Sequence, residues 1–141
     1  MNVVESKYAA GYTSNRLILL QPTSPLRNVD DILAAVDLFE STGCNDTVVS
    51  VCEVDHPTAW VGMIDEDSKF TGIDLSGKRS QVYQKEYRLN GAVYVARSDI
   101  LKEKQSLFTD QLFASMMPRE RSIDIDEKID FLFATVCLKN D

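Results

Sequence analysis

The chain has 141 residues, 44% hydrophobic and 26% charged, with a net charge of −7. That is enough for one domain with a real core, and it excludes global disorder. No apolar run approaches the ~20 residues needed to cross a bilayer. Met1 to Gly11 has no apolar h-region, so no signal peptide is read there and the cytoplasm is the expected location. Residues 1–70 carry 4 basic and 11 acidic side chains, whereas residues 71–141 carry 11 of each. An acidic chain repels phosphate backbones, so neither nucleic acid nor membrane is expected as a partner. Lys78, Arg79, Lys85, Arg88, Arg97, Lys102 and Lys104 form the one basic concentration. It reads equally as a solvated face or as a pocket for a small anion. Cys44, Cys52 and Cys137 are odd in number and lack metal-ligand spacing, so free thiols are expected. His56, the single histidine, lies in an Asp-His-Pro turn and is not expected to catalyse.

In chain order, Arg16 to Gln21 is a short apolar run that suits a strand buried on both faces. Pro22 and Pro25 exclude helix and central strand from the next stretch. Val29 to Ser41 has Ile32, Leu33, Val36 and Phe39 at helical spacing, two aspartates in the first turn and Gly43 beyond the end. Asp46 to Val54 is β-branched and reads as a strand, which completes a βαβ unit. His56 to Lys78 looks like a β-excursion from the main sheet. Ala92 to Ala96 is another strand, Ser98 to Gln105 a short helix and Gln111 to Met116 a further strand. A last helix over Glu127 to about Leu138 has Ile129, Phe133 and Val136 on one face.

Three segments could carry chemistry. Gln21 would stand at the carboxyl end of the first strand, where ligands bind in open α/β sheets. Thr23 and Ser24 add hydroxyls near a helix N-terminus; a proline-stiffened turn explains the same residues. In Arg79 to Tyr94, Asn90-Gly91 is a turn signal, and Gly91 permits close backbone approach. Arg79 and Arg88 could fork a carboxylate, or the segment could be a hairpin with charged edges. In Ser122 to Asp126, alternation in a strand would put Asp124 and Asp126 on one face, an oxygen pair that suits Mg²⁺. A helix cap plus a surface carboxylate is the other reading.

Taken together, these segments resemble the acylneuraminate cytidylyltransferases, or CMP-sialic acid synthetases. Leu20 to Arg27 (Leu-Gln-Pro-Thr-Ser-Pro-Leu-Arg) is similar to that family's most recognisable internal motif. Arg88 to Tyr94 is similar to its Asn-Gly-Ala-aliphatic-Tyr segment, and Met117 to Asp126 to its closing Ser-hydrophobic-Asp-hydrophobic-Asp motif. The order and spacing match from Arg16 to the C-terminus.

The resemblance implies a three-layer αβα, Rossmann-like fold of the nucleotide-diphospho-sugar transferase type. Its sheet would be mostly parallel, in a single domain over residues 1–141. Residues 56–88 would form a β-rich dimerisation excursion, giving a homodimer. The implied reaction joins CTP to a nine-carbon keto-acid sugar such as N-acetylneuraminate and releases pyrophosphate, with Mg²⁺ present. By resemblance, Gln21, Arg79, Asn90 and Tyr94 bind the sugar, Asp124 and Asp126 hold the metal, and Asp126 is the catalytic carboxylate. Two departures stand out. The family's Arg-x-Gln-Asp/Glu-Leu-Pro segment is Arg79-Ser80-Gln81-Val82-Tyr83-Gln84 here. Met1 to Asn15 has one Gly and one Lys in place of the family's glycine-rich CTP loop. The expectation is therefore a C-terminal portion of the family domain, inactive alone. The alternatives are a sugar-binding module without catalysis and a structural relic.

Overall fold

The computed structural model describes residues 16–74, 76 and 85–139. Its elements are β1 (Arg16–Leu20), α1 (Val29–Ser41), β2 (Thr47–Glu53), β3 (Met63–Ile64), β4 (Phe70–Thr71), β5 (Tyr87–Arg97), α2 (Ser98–Lys104), β6 (Leu112–Met116) and α3 (Lys128–Leu138). The main sheet has the order β1-β5-β2-β6. β2 and β6 pair in parallel, and β5 pairs antiparallel with both β1 and β2. Three of the four strands therefore point one way, with β5 reversed between them.

β2 is buried along all but its last residue, as its run of valines requires. α1 packs over β2, β5 and β6, and Ala35 and Phe39 join Val48, Ala92, Val93, Val95 and Met117 in one core cluster. The start of α1 is fixed by Asn28. Its side chain accepts from the Asp31 N–H at 3.0 Å, and Asp31 accepts from the Asn28 N–H at 2.9 Å, a reciprocal cap.

Several expectations need correction. β1 is not buried on both faces. It lies at the sheet edge, paired with β5 alone among the described residues, and Ile18, Leu19 and Leu20 are 38–39% exposed. β1 and β2 are codirectional but not neighbours, because β5 lies between them. Such pairing is non-local and leaves no mark on a four-residue apolar run. Leu33 faces solvent, whereas Phe39 is buried and Ile32 and Val36 pack against the core; Asp31 and Ala35 complete the buried stripe of α1. Ile129, Phe133 and Val136 of α3 are exposed, and Ala134 is the buried residue there. Asn90-Gly91 is not a turn ahead of a strand but lies inside β5. Gly91 has φ +74°, and the pairing steps from Val49↔Tyr94 to Val51↔Leu89, so β5 bulges over Asn90 to Val93. A turn and a bulge both ask for glycine at positive φ, so the dipeptide alone does not separate them. Ser122 to Asp126 forms no strand.

The excursion after β2 is a small antiparallel hairpin in which β3 pairs with β4. Glu86 ties down its base by accepting from the Thr58 N–H at 2.7 Å and the Thr58 hydroxyl at 2.5 Å. His56 stacks on Trp60 with ring centroids 6.2 Å apart. Among the described residues, no helix is long and apolar enough to cross a membrane.

Candidate active site

The site is assembled around the bulge of β5. The loop after β1 is a β-turn, with the Ser24 N–H donating to the Gln21 carbonyl at 3.3 Å and Pro22 at the position where fixed φ is favoured. Arg27 locks this turn onto the sheet. Its Nη1 donates to the carbonyls of Gln21 at 2.5 Å, Ser24 at 3.0 Å and Ala92 at 3.3 Å. Across from the turn, the Ile125 N–H donates to the Thr23 carbonyl at 2.8 Å, which brings the Ser122–Asp126 segment alongside.

Gln21 and Asp124 meet at Gly91. A Cβ on Gly91 would stand 2.5 Å from Gln21 Oε1 and 3.4 Å from Asp124 Oδ2. The space that admits these two side chains thus exists because residue 91 has none. Tyr94 lies within the electrostatic reach of Asp124. Partial burial, then the Asp124 charge, raises its phenol above the usual 10.0. Tyr94 therefore stays protonated at neutral pH, with a phenolic O–H available to donate. Its ring packs edge-on against Phe108 at 6.3 Å.

Asn90 is placed differently from the other sequence-predicted residues. It is 1% exposed. Its Oδ1 accepts from Ser50 Oγ at 2.5 Å and from the Ala92 N–H at 3.2 Å, and its Nδ2 donates to Ser122 Oγ at 2.8 Å. The Val93 N–H donates to Ser50 Oγ at 2.8 Å, and Ser122 Oγ donates to the Pro118 carbonyl at 2.8 Å. The Asn90 amide is thus engaged by partners within the core. Sequence reasoning missed Ser50 and Arg27. The trace they left was a serine set among the valines of β2 and a lone cation after a double-proline turn.

Asp126 is exposed and stands at the entry to α3, where its N–H donates to Asp130 Oδ2 at 3.1 Å. Arg79 lies outside the described residues. Arg88 lines a groove of about 610 Å³ with Asp55, Arg119, Ser122, Ile123 and Phe133, a set that does not include Gln21, Gly91 or Asp124. Among the described residues, no group of three or more His, Cys, Asp or Glu is placed to hold a metal ion. The Asp124 carboxylate has no protein hydrogen-bond partner at its buried Oδ1, however, and its Oδ2 lies toward Gly91, so it keeps lone pairs that suit a cation.

No family model matches the chain. It is 34% identical over 128 residues to the N-acylneuraminate cytidylyltransferase of Streptococcus agalactiae serotype V, covering 89% of this chain and 31% of that protein. It is 32% identical over 119 residues to the CMP-N,N'-diacetyllegionaminic acid synthase of Legionella pneumophila, covering 82% of this chain and 50% of that protein. The chain thus spans 31% and 50% of the length of these two relatives. A solved CMP:2-keto-3-deoxy-manno-octonic acid synthetase, complexed with CTP, superposes with a TM-score of 0.61 at 11% identity, over 97% of this chain and 67% of that one. That likeness shows the fold, the Rossmann-like architecture of nucleotidyltransferases, with β5 reversed in an otherwise codirectional sheet. Over most of its length, then, the chain is similar to enzymes named N-acylneuraminate cytidylyltransferase, which supports the family resemblance carried by the motifs around Gln21, Gly91 and Asp124.

Proposed function

We propose that this chain supplies the sugar-binding and metal-binding portion of a site that transfers CMP from CTP to a nine-carbon keto-acid sugar, N-acetylneuraminate or a relative of it, with release of pyrophosphate. The observation that carries this reading is the meeting of Gln21 and Asp124 over the missing side chain of Gly91. An amide, a carboxylate and a protonated phenol around one opening suit a polyhydroxylated acid, which needs donors and acceptors at several points. Gln21 orients the sugar, and Tyr94 donates to it. Asn90 serves the substrate indirectly, by fixing the bulge that presents Gly91. Arg79 is proposed to pair with the sugar carboxylate.

Asp124 and Asp126 would hold Mg²⁺, with Asp126 the catalytic carboxylate acting through it. When bound, the ion neutralises charge on the phosphates as the anomeric hydroxyl attacks the α-phosphate and pyrophosphate departs. Two carboxylates leave most of an octahedron to water and phosphate, so metal uptake without nucleotide is weak. The chain is further proposed to work as a homodimer through the 56–88 excursion. The test is titration of N-acetylneuraminate followed by NMR. Binding to the wild type, weakened about tenfold in Gln21→Ala by loss of one hydrogen bond, is expected. No binding, or binding indifferent to Gln21, overturns the reading.

A further inference from the structure

Two buried side-chain oxygens among the described residues have no protein hydrogen-bond partner: Ser24 Oγ and Asp124 Oδ1. Ser24 is wholly buried, at 0% exposure. Its backbone is already engaged, the N–H with the Gln21 carbonyl and the carbonyl with Arg27, so only the hydroxyl is left over. The two segments are joined by the bond from the Ile125 N–H to the Thr23 carbonyl. That bond lies one residue before Ser24 and one residue after Asp124. The leftover groups are complementary in kind, since a hydroxyl has a proton to give and a carboxylate has only lone pairs. Leaving either one buried and unmatched is unfavourable, and a serine kept only to fill space would do better as alanine.

We infer that Ser24 is a positioning residue for Asp124, its hydroxyl proton reaching Oδ1 across one bridging water. The inner oxygen is then held, and the outer one, Oδ2, is presented toward Gln21 and Gly91. The consequence for metal binding rests on the functional reading above. The link between the two side chains does not.

The experiment has two arms. In the first, Ser24→Ala, Asp124→Ala and the double variant are unfolded in urea. Linked side chains give non-additive losses of stability. In the second, Mg²⁺ alone is titrated into wild type, Ser24→Ala and Ser24→Cys, followed by the Gly91 amide resonance. Loss of a group that orients a metal ligand is expected to weaken uptake by about tenfold or more in Ser24→Ala, with Ser24→Cys between it and wild type. Additive stabilities, or Mg²⁺ uptake unchanged by Ser24→Ala, overturn the inference. Should the wild type take up no Mg²⁺ at all, the metal reading falls and the urea cycle alone decides the link.

Discussion

The Arg121 guanidinium grips the carboxylate of Asp31, ninety residues earlier in the chain, through two parallel hydrogen bonds. Nε donates to Oδ2 at 3.0 Å and Nη2 to Oδ1 at 2.8 Å. Asp31 also caps α1, so one carboxylate joins the first turn of that helix to the turn that leads into Ser122 and Asp124. The side chain of Asp31 is 5% exposed and that of Arg121 is 32% exposed. Removing one member strands a buried charge. Arg121→Ala is expected to lower the stability by about 3–5 kcal/mol, the usual cost of breaking a buried pair. Urea unfolding measures it, and a loss below about 1 kcal/mol, typical of surface pairs, would mean the pair is solvated.

The same pair sets an acid limit. Burial pushes the Asp31 carboxyl upward, but the Arg121 hydrogen bonds, the Asn28 N–H and the Arg121 charge together hold it below its ordinary 3.8. A carboxyl depressed in the folded state stabilises fully above its unfolded value, and this is lost as pH falls through the folded one. The stability gap between wild type and Asp31→Asn should therefore be constant near neutrality and close as pH drops below about 4. A gap that instead closes between about pH 6 and 8 would assign the effect to another group.

Gly91→Ala should abolish sugar binding. The added Cβ would collide with Gln21 Oε1 at 2.5 Å, and the residue sits at φ +74°, where an L side chain costs about 1–2 kcal/mol. N-acetylneuraminate titration and urea unfolding of the same variant check both effects. Retained binding would mean that the Gln21–Asp124 opening is not the sugar site.

α1 was legible to its bounds, because two first-turn aspartates, a spaced apolar stripe and Gly43 beyond the end all pointed to the same segment. β2 and β6 were legible from β-branched and apolar content. The place of β5 between β1 and β2 was not, since strand neighbours are chosen by contacts across some seventy residues. Gln21 and Asp124 could be singled out by type and by resemblance. Their convergence at Gly91 depends on a bulge, and the burial of Asn90 depends on Ser50 and Ser122, each chemically unremarkable by itself.

The excursion hairpin exposes Val61, Met63 and Ile64 at 65%, 74% and 73%. Apolar clusters of this kind mark interfaces. The chain is expected to sediment as a dimer at tens of micromolar (an order of magnitude set by ordinary interface affinities), and Met63→Lys with Ile64→Lys should yield monomers. A wild-type monomer at that concentration would remove the proposed dimer.

The 141-residue chain by itself is expected not to release pyrophosphate from CTP and N-acetylneuraminate. Gln21, Tyr94, Asp124 and Asp126 are neutral or acidic, and none can neutralise the β- and γ-phosphates. Losing that alignment forfeits about 7–11 kcal/mol of barrier lowering. Release above an enzyme-free control that disappears in Asp126→Ala would show a complete catalyst.

Among the described residues β1 is an edge strand, and that position bears on how the protein behaves in a tube. An edge strand offers a row of backbone donors and acceptors to any extended segment that meets it, and Ile18, Leu19 and Leu20 make the meeting favourable. Against this stands the net charge of −7, which keeps copies apart at long range. That repulsion fades within about 10 Å at 0.1 M salt and within about 3 Å at 1 M. Adding salt therefore removes the barrier while leaving the adhesive edge intact. Turbidity should rise with ionic strength, the reverse of a protein whose copies are drawn together by opposite charges.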